Sequence, residues 1–437
     1  MNALKIEKWN TLGLTLLSGL TYAWIAYYLD RSHFYELFGC FALVFATYLL
    51  FIKKAKVEKL SFYLVLGVVF RLIFILSIPT LSDDYFRFIW DGQLLANGLN
   101  PFDQLPSAVS LNFPNKVDLL NGMNSPNYYT IYPPLAQLVY WLSVKLSPNS
   151  ILGSIVVIRS ILILAEVGVI VLLPGLLSLL KIKPINALWY ALNPLVIVEV
   201  CGNLHFEGLV AFFLLLAFYM LALHKNKLAS MAWALAAATK LIPILLLPIL
   251  LRKLTFKKTV LFYTLFGLLI VFLFWPFYNS SFISNFFESI RLYSKSFEFN
   301  ASIYYLVREI GYRYTGYNPI QSAGPWLAVI AYLGIFIILL KRKISSWTYF
   351  FPLMLFALSW YYLFALIVHP WYSINLVFLA VFTQFRYPML WSFLAILSYS
   401  AYSNPSFQEN HWLIALEYLA VVAYGIWEFL NKKKAAA

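Results

Sequence analysis

The chain has 437 residues, of which 62% are hydrophobic and only 11% charged, and its mean hydropathy is +0.77. No soluble globular protein has that composition, so the net charge of +14, which would otherwise point to nucleic acid, is read as membrane topology. The apolar runs are about 20 residues long and do not alternate, which excludes a transmembrane barrel and selects helices.

In chain order the apolar segments lie near residues 11–29, 35–52, 60–78, 131–146, 152–173, 186–202, 206–223, 228–251, 259–277, 325–340, 347–367, 370–384, 388–402 and 411–430. They predict an all-α polytopic membrane protein with about 11 to 14 transmembrane or re-entrant helices, forming a single membrane domain over residues 1–437 with no soluble domain. The first ten residues precede an apolar run without a small-residue cleavage site, so the run is expected to remain as an anchor. Short basic clusters mark cytoplasmic loops: Lys53, Lys54, Lys56 and Lys59, then Lys181 and Lys183, Lys225 and Lys227, Lys341, Arg342 and Lys343, and Lys432 to Lys434. Starting inside, the first three segments bring the chain out at residue 79.

Residues 79–130 then form a long external loop carrying five aspartates (83, 84, 91, 103 and 118) against Arg87 and Lys116. Further on, Arg159 and Glu166 stand seven residues apart on one helix face and are expected to pair with each other, while Arg71 is expected to neutralise a different buried group. Between Lys225 and Arg252 both ends are basic but there is room for only one full span. A broken or re-entrant segment around Thr239-Lys240-Leu241-Ile242-Pro243 resolves this, provided it lines a polar cavity. A second external stretch, residues 278–324, is dense in aromatic and basic residues and is expected to cap the first. Cys40 and Cys201 both lie in apolar segments, which supports neither a disulfide nor a thiolate metal site.

The external loop opens with Ser82-Asp83-Asp84-Tyr85-Phe86-Arg87. Tyr85, Phe88, Ile89, Gly92, Leu95 and Ala96 follow helical spacing, with Asp84, Arg87 and Asp91 opposite, so a short amphipathic helix on the membrane surface is predicted. Ser82 is placed to cap it, Arg87 stands four residues from both Asp83 and Asp91, and Asn97-Gly98 ends it. One reading makes these charges a solvated helix face with ion pairs. The other makes the carboxylates chemical: adjacent carboxylates at the mouth of a span are costly to desolvate, and burial beside a second carboxylate raises a pKa toward that of a general base.

Several short motifs together resemble the integral-membrane glycosyltransferases of the GT-C superfamily. They are Asp83-Asp84-Tyr85 after a helix, Asn97-Gly98-Leu99-Asn100-Pro101-Phe102, Tyr132-Pro133-Pro134-Leu135, Asn193-Pro194-Leu195, Gly202-Asn203-Leu204-His205-Phe206-Glu207-Gly208, Lys240-Leu241-Ile242-Pro243, Phe299-Asn300-Ala301-Ser302-Ile303-Tyr304 and His369-Pro370-Trp371-Tyr372. The chain is most similar to bacterial polyprenyl-phosphomannose-dependent mannosyltransferases, with a weaker likeness to eukaryotic glycosylphosphatidylinositol mannosyltransferases. The resemblance implies inverting transfer of a sugar, mannose above others, from a polyprenyl phosphate to a hydroxyl on a glycolipid, glycan or other acceptor. It places the reaction on the external face of a bacterial cytoplasmic membrane, with Asp83 or Asp84 as the catalytic base, and implies neither cofactor nor metal. Lys240, Arg308, Arg313 and His369 are candidates to hold the donor phosphate; Arg87, Asp91, Tyr132, His205 and Glu207 are candidates to bind substrate. The competing functions are a transporter or flippase of lipid-linked sugars, and a polymerase or ligase of lipid-linked glycans. No internal repeat supports the former.

Overall fold

The computed structural model describes residues 2–340, 344 and 346–436, with side chains described from Thr11 to Asn431 except at residues 293 and 294. The basic residues Lys341, Arg342 and Lys343, and the side chains of Lys432 to Lys434, lie outside the described residues. The chain is 75% helix with no strand among the described residues, beyond one isolated parallel bridge between Phe299 and Ile367. Five helices among them are long and apolar enough to cross a membrane: Phe34–Lys54, Ile151–Leu179, Phe256–Phe277, Ile320–Leu340 and His411–Asn431. A sixth is formed if Pro184–Ala191 and Pro194–Gly202, bent by 51° at Leu192-Asn193, count as one span. The first apolar segment forms the continuous helix Asn2–Tyr27, which precedes Phe34–Lys54, and the others are realised as shorter or interrupted helices.

The longest of these, Ile151–Leu179, is capped by the Ser150 hydroxyl, which accepts from the Gly153 amide at 3.0 Å. It extends for roughly 44 Å and packs against Leu60–Leu72, Pro134–Leu146 and Glu207–Ala222. Arg159 and Glu166 both point inward from it and are fully buried, but they do not pair. Seven residues separate their Cα atoms by about 10 Å along the axis, so each takes partners from neighbouring elements instead. Glu166 accepts from Arg71 Nε and Nη2 at 2.9 and 2.7 Å and from the Tyr190 hydroxyl at 2.6 Å. Arg159 donates to the carbonyls of Ile75, Ser77, Cys201 and Gly202 at 3.1, 2.5, 2.5 and 3.0 Å, and so satisfies backbone groups freed where two helices end.

The expected break around Lys240 is present. The helix Asn226–Thr239 ends, Lys240 is extended, and 3-10 turns over Ile242–Ile249 lead into Leu250–Lys253 and then Phe256–Phe274. Carbonyls freed by the interruption accept from Trp233 Nε1 at 2.9 Å (Pro243) and from the Tyr263 hydroxyl at 2.8 Å (Leu247).

The amphipathic helix also forms, over Asp84–Ala96, and the Ser82 hydroxyl accepts from the Asp84 amide at 3.3 Å. Its polar face is not solvated, contrary to the surface-lying helix expected from the sequence: Arg87 is 3% exposed and Asp91 not at all. One side packs on Pro134–Leu146 so tightly that a Cβ at Gly92 would sit 2.4 Å from the Tyr140 carbonyl oxygen. The loop over residues 123–133 covers the other. Arg87 binds Asp91 (2.8 Å), not Asp83, and donates to the Ser125 and Tyr128 carbonyls. Asp91 in turn accepts from Thr130 at 2.6 Å and Gln137 at 2.8 Å.

The segment 278–324 packs against the first loop. Asn279 and Ser281 hold the Asp103 carboxylate, Asn285 donates to the Phe102 carbonyl and Ser289 to that of Tyr129. Phe102, fully buried, sits among the rings of Phe277, Phe282 and Phe286. For the helical core we expect Arg71→Met to cost about 3–5 kcal/mol, since it leaves the Glu166 carboxylate buried without its cation. Thermal unfolding in detergent measures this, and an unchanged melting temperature would show that the pair is dispensable.

Candidate active site

Interrupted elements converge on one cavity of about 320 Å³. It is lined by Arg31 from the turn between the first two helices, Asp83 and Asp84 at the start of the amphipathic helix, Arg87 one turn on, and Asn124 and Tyr132 from the covering loop. His205, Lys240, Glu298, His369, Trp371, Tyr372 and Tyr402 complete its polar and aromatic wall. Each comes from a place where a helix starts, stops or breaks, which is where side chains and backbone can turn toward a polar space.

The two aspartates have different surroundings. Asp83 is tied in an ion pair to Arg31, whose guanidinium also lies 4.4 Å from the centre of the Tyr402 ring. Asp84 has no ion pair of that kind among the described residues. Its Oδ1 accepts from Asn124 Nδ2 at 3.2 Å, its Oδ2 lies 3.8 Å from His205 Nε2, and its side chain stays 20% exposed to the cavity. Burial, the largest influence, raises its pKa above the usual carboxylate value of 3.8; the Asn124 amide and the Lys240 ammonium pull the other way, and Asp83 adds to the rise.

His205 is delivered by local backbone geometry. The π-helical turn Ile197–Gly202 is followed by Leu204 in the left-handed region (φ 64°), and the His205 amide closes back on the Glu199 carbonyl at 3.0 Å. Its Nδ1 is 3.2 Å from Glu199 Oε2, and its ring stacks on Trp371 at 3.6 Å, which stacks in turn on His369 at 4.2 Å. Burial, with the Lys240 charge and His369, holds the His205 pKa well below 6.5, and burial with Lys240 pushes His369 down to about 3. Both rings are therefore neutral.

Lys240 leaves its helix at the break and reaches the cavity, where it pairs with Glu207 and lies 5.7 Å from the centre of the Tyr372 ring. Glu207 does not line the cavity itself but holds Lys240 from behind, and its Oε2 is buried without a partner among the described residues. Arg87 contributes a buried Nη2 that likewise has none. Such orphaned polar atoms in a folded interior call for an explanation, and a ligand is one.

The structure thus brings together Asp83, Asp84, Arg87, Tyr132, His205, Lys240 and His369, with Glu207 directly behind. It does not bring in the other three candidates. Asp91 is fully buried with its carboxylate consumed by Arg87, Thr130 and Gln137. Arg308 stays outside the lining, paired to Glu298, and Arg313 is 75% exposed, paired to Glu309 on its own helix. Sequence reasoning missed Arg31, Asn124, Glu199 and Glu298. For Glu199 there was a signal, a lone carboxylate within an apolar segment. For Arg31 the signal was topological, because a turn after the first span emerges on the same side as residue 79. Among the described residues no group of three or more His, Cys, Asp or Glu could hold a metal ion.

Comparison with known families gives a match over residues 13–255, more than half of the chain, to the alpha-(1->6)-mannopyranosyltransferase N-terminal domain (MptA_B family). The chain belongs to this family, a GT-C-type mannosyltransferase family. No curated protein shows significant similarity to it. The matched region contains Asp83, Asp84, Arg87, His205 and Lys240; His369 lies beyond it.

If ionised Asp84 carries the activity, turnover is lost as pH falls through its raised pKa. Replacing Asn124 with Ala removes a hydrogen bond to the ionised form, so the acid limb of the pH–rate profile should move to higher pH. An unmoved limb would detach the activity from Asp84.

Proposed function

We propose that this membrane mannosyltransferase takes a mannosyl residue from a polyprenyl monophosphate and passes it, with inversion, to a hydroxyl of a glycan or glycolipid, with Asp84 as general base. The observation that carries the reading is the arrangement at one cavity wall. The Asp84 carboxylate, which among the described residues has no Lys or Arg partner, faces a space also lined by Lys240 and Arg87, and the Nη2 of Arg87 is buried without a partner among them.

In that space the acceptor oxygen attacks the anomeric carbon while its proton passes to Asp84. The bond from the anomeric carbon to the phosphate oxygen breaks, and its electron pair leaves with the phosphate. Lys240 and Arg87 supply countercharge to that leaving group. The donor arrives as a phosphodiester monoanion and gains its second charge as the glycosidic bond breaks, and it then competes with Glu207 for Lys240, so the pair acts as a holder that keeps the ammonium in place between turnovers. Asp83 serves differently, fixing Arg31 and the Tyr402 wall. The reading includes no metal and no organic cofactor.

A lipid donor is favoured because the cavity sits among membrane helices and is lined by the ends and breaks of apolar segments. The external face of a bacterial cytoplasmic membrane is favoured because the Arg31 turn and the Asp83 loop meet, and the basic cluster at Lys53 and Lys54 ends the helix that lies between them in sequence.

The test uses protein in liposomes, given radiolabelled polyprenyl-phosphomannose and a lipid extract as acceptor. Asp84→Asn should lower transfer by at least about a hundredfold while remaining folded, and Asp83→Asn should lower it less. Wild-type protein should make no product from a nucleotide-linked mannose. Turnover of the nucleotide sugar, or full activity of Asp84→Asn, would contradict the reading, as would movement of the carrier between leaflets without transfer.

A further inference from the structure

Glu199 and the orphaned nitrogen of His205 have no part in the reaction just described, although both are buried beside the base. Hydrogen bonds hold both Glu199 oxygens: Oε1 accepts from the Tyr399 hydroxyl at 2.8 Å, and Oε2 from Asn203 Nδ2 at 2.9 Å as well as facing His205 Nδ1 at 3.2 Å. A carboxylate so placed fixes the Nδ1–H tautomer of the imidazole. Nε2 then carries the lone pair, lies 3.8 Å from Asp84 Oδ2 and has no hydrogen-bond partner among the described residues.

We propose that Asp84, His205 and Glu199 form a proton relay that removes from Asp84 the proton it takes from the acceptor, a role that rests on Asp84 being the base. Once protonated, the Asp84 carboxyl needs to move by about 1 Å to donate to Nε2. Its proton then passes to Nε2 as the proton of Nδ1 passes to Glu199. One O–H and one N–H bond break, one N–H and one O–H bond form, and the negative charge moves from Glu199 to Asp84. The imidazole begins and ends neutral, which suits a ring whose neighbours include the Lys240 ammonium and, behind Trp371, His369. The groups facing Asp84 from other elements are Asn124, Lys240 and the Arg31–Asp83 pair, and those facing Glu199 are Tyr399, Asn203 and, at longer range, Glu207.

The consequence is directional. Reversal of transfer needs the proton of Asp84 on the new glycosidic oxygen, and the relay removes that proton while products are still bound. After they leave, the relay runs backwards and Asp84 yields the proton to water entering the cavity.

The test compares wild type, Glu199→Gln, His205→Ala and Asp84→Asn in the same transfer assay. Gln at position 199 keeps the size and one of the two acceptor oxygens but cannot accept the proton. We expect E199Q to lower kcat by about a hundredfold with the donor KM unchanged and the acid limb of the pH profile displaced. Added imidazole should restore much of the activity of H205A in a concentration-dependent way, which a merely structural histidine would not show. Wild-type kcat and pH profile in E199Q would overturn the relay, as would no rescue of an H205A protein that melts like wild type. Should E199Q not fold, the rescue of H205A decides alone, and should H205A not fold, E199Q does. Full activity in D84N would instead remove the base on which the relay depends, whereas an inactive D84N beside normal E199Q and H205A would remove the relay alone.

Discussion

A charged group surrounded by hydrocarbon has nothing to bind except the rest of its own chain, and this requirement organises the molecule. Arg71 reaches Glu166 and two carbonyls, Arg159 satisfies four carbonyls at two helix ends, and Arg87 joins Asp91 to the covering loop. Each cluster ties elements distant in sequence: Arg71 to Glu166 spans 95 positions, and Arg159 to Gly202 spans 43. Apolar packing alone would leave short and broken helices free to slide. The polar knots fix where they stop, and so fix where the cavity opens.

Against such thorough satisfaction, the polar atoms left over are informative. Among the described residues ten buried side-chain polar atoms have no hydrogen-bond partner, and four of them, Arg87 Nη2, His205 Nε2, Glu207 Oε2 and His369 Nδ1, belong to residues that line the cavity or hold one that does. Among the described residues the Asp84 carboxylate has the Asn124 amide alone within hydrogen-bond distance, and it keeps part of its surface toward the space. The leftover atoms are donors and acceptors of both kinds, as a substrate with a phosphate and several hydroxyls requires.

Much of this was legible beforehand, for identifiable reasons. Composition and apolar run length give helices in a membrane, and basic residues at both ends of one span's worth of chain demand the break at Lys240. Adjacent carboxylates at a helix mouth mark the site, because their desolvation needs a purpose. Three things were less legible. Helix periodicity places Arg159 and Glu166 on one face but says nothing about the partners waiting on other helices. Amphipathic spacing in Asp84–Ala96 reports that two faces differ, and the covering loop that buries the polar one lies some 30 to 40 residues further along the chain. Arg308 and Arg313 looked like phosphate ligands by charge alone, yet Glu298 and Glu309 already occupy them.

The most direct measurement is a structure of the protein with polyprenyl phosphate bound. The phosphate should lie in the cavity within hydrogen-bond distance of Lys240 Nζ and Arg87 Nη2, with the position of the departed sugar facing Asp84. A phosphate seated elsewhere, such as the surface groove lined by Arg291 and Lys295, with Lys240 still bound only to Glu207, would contradict the account.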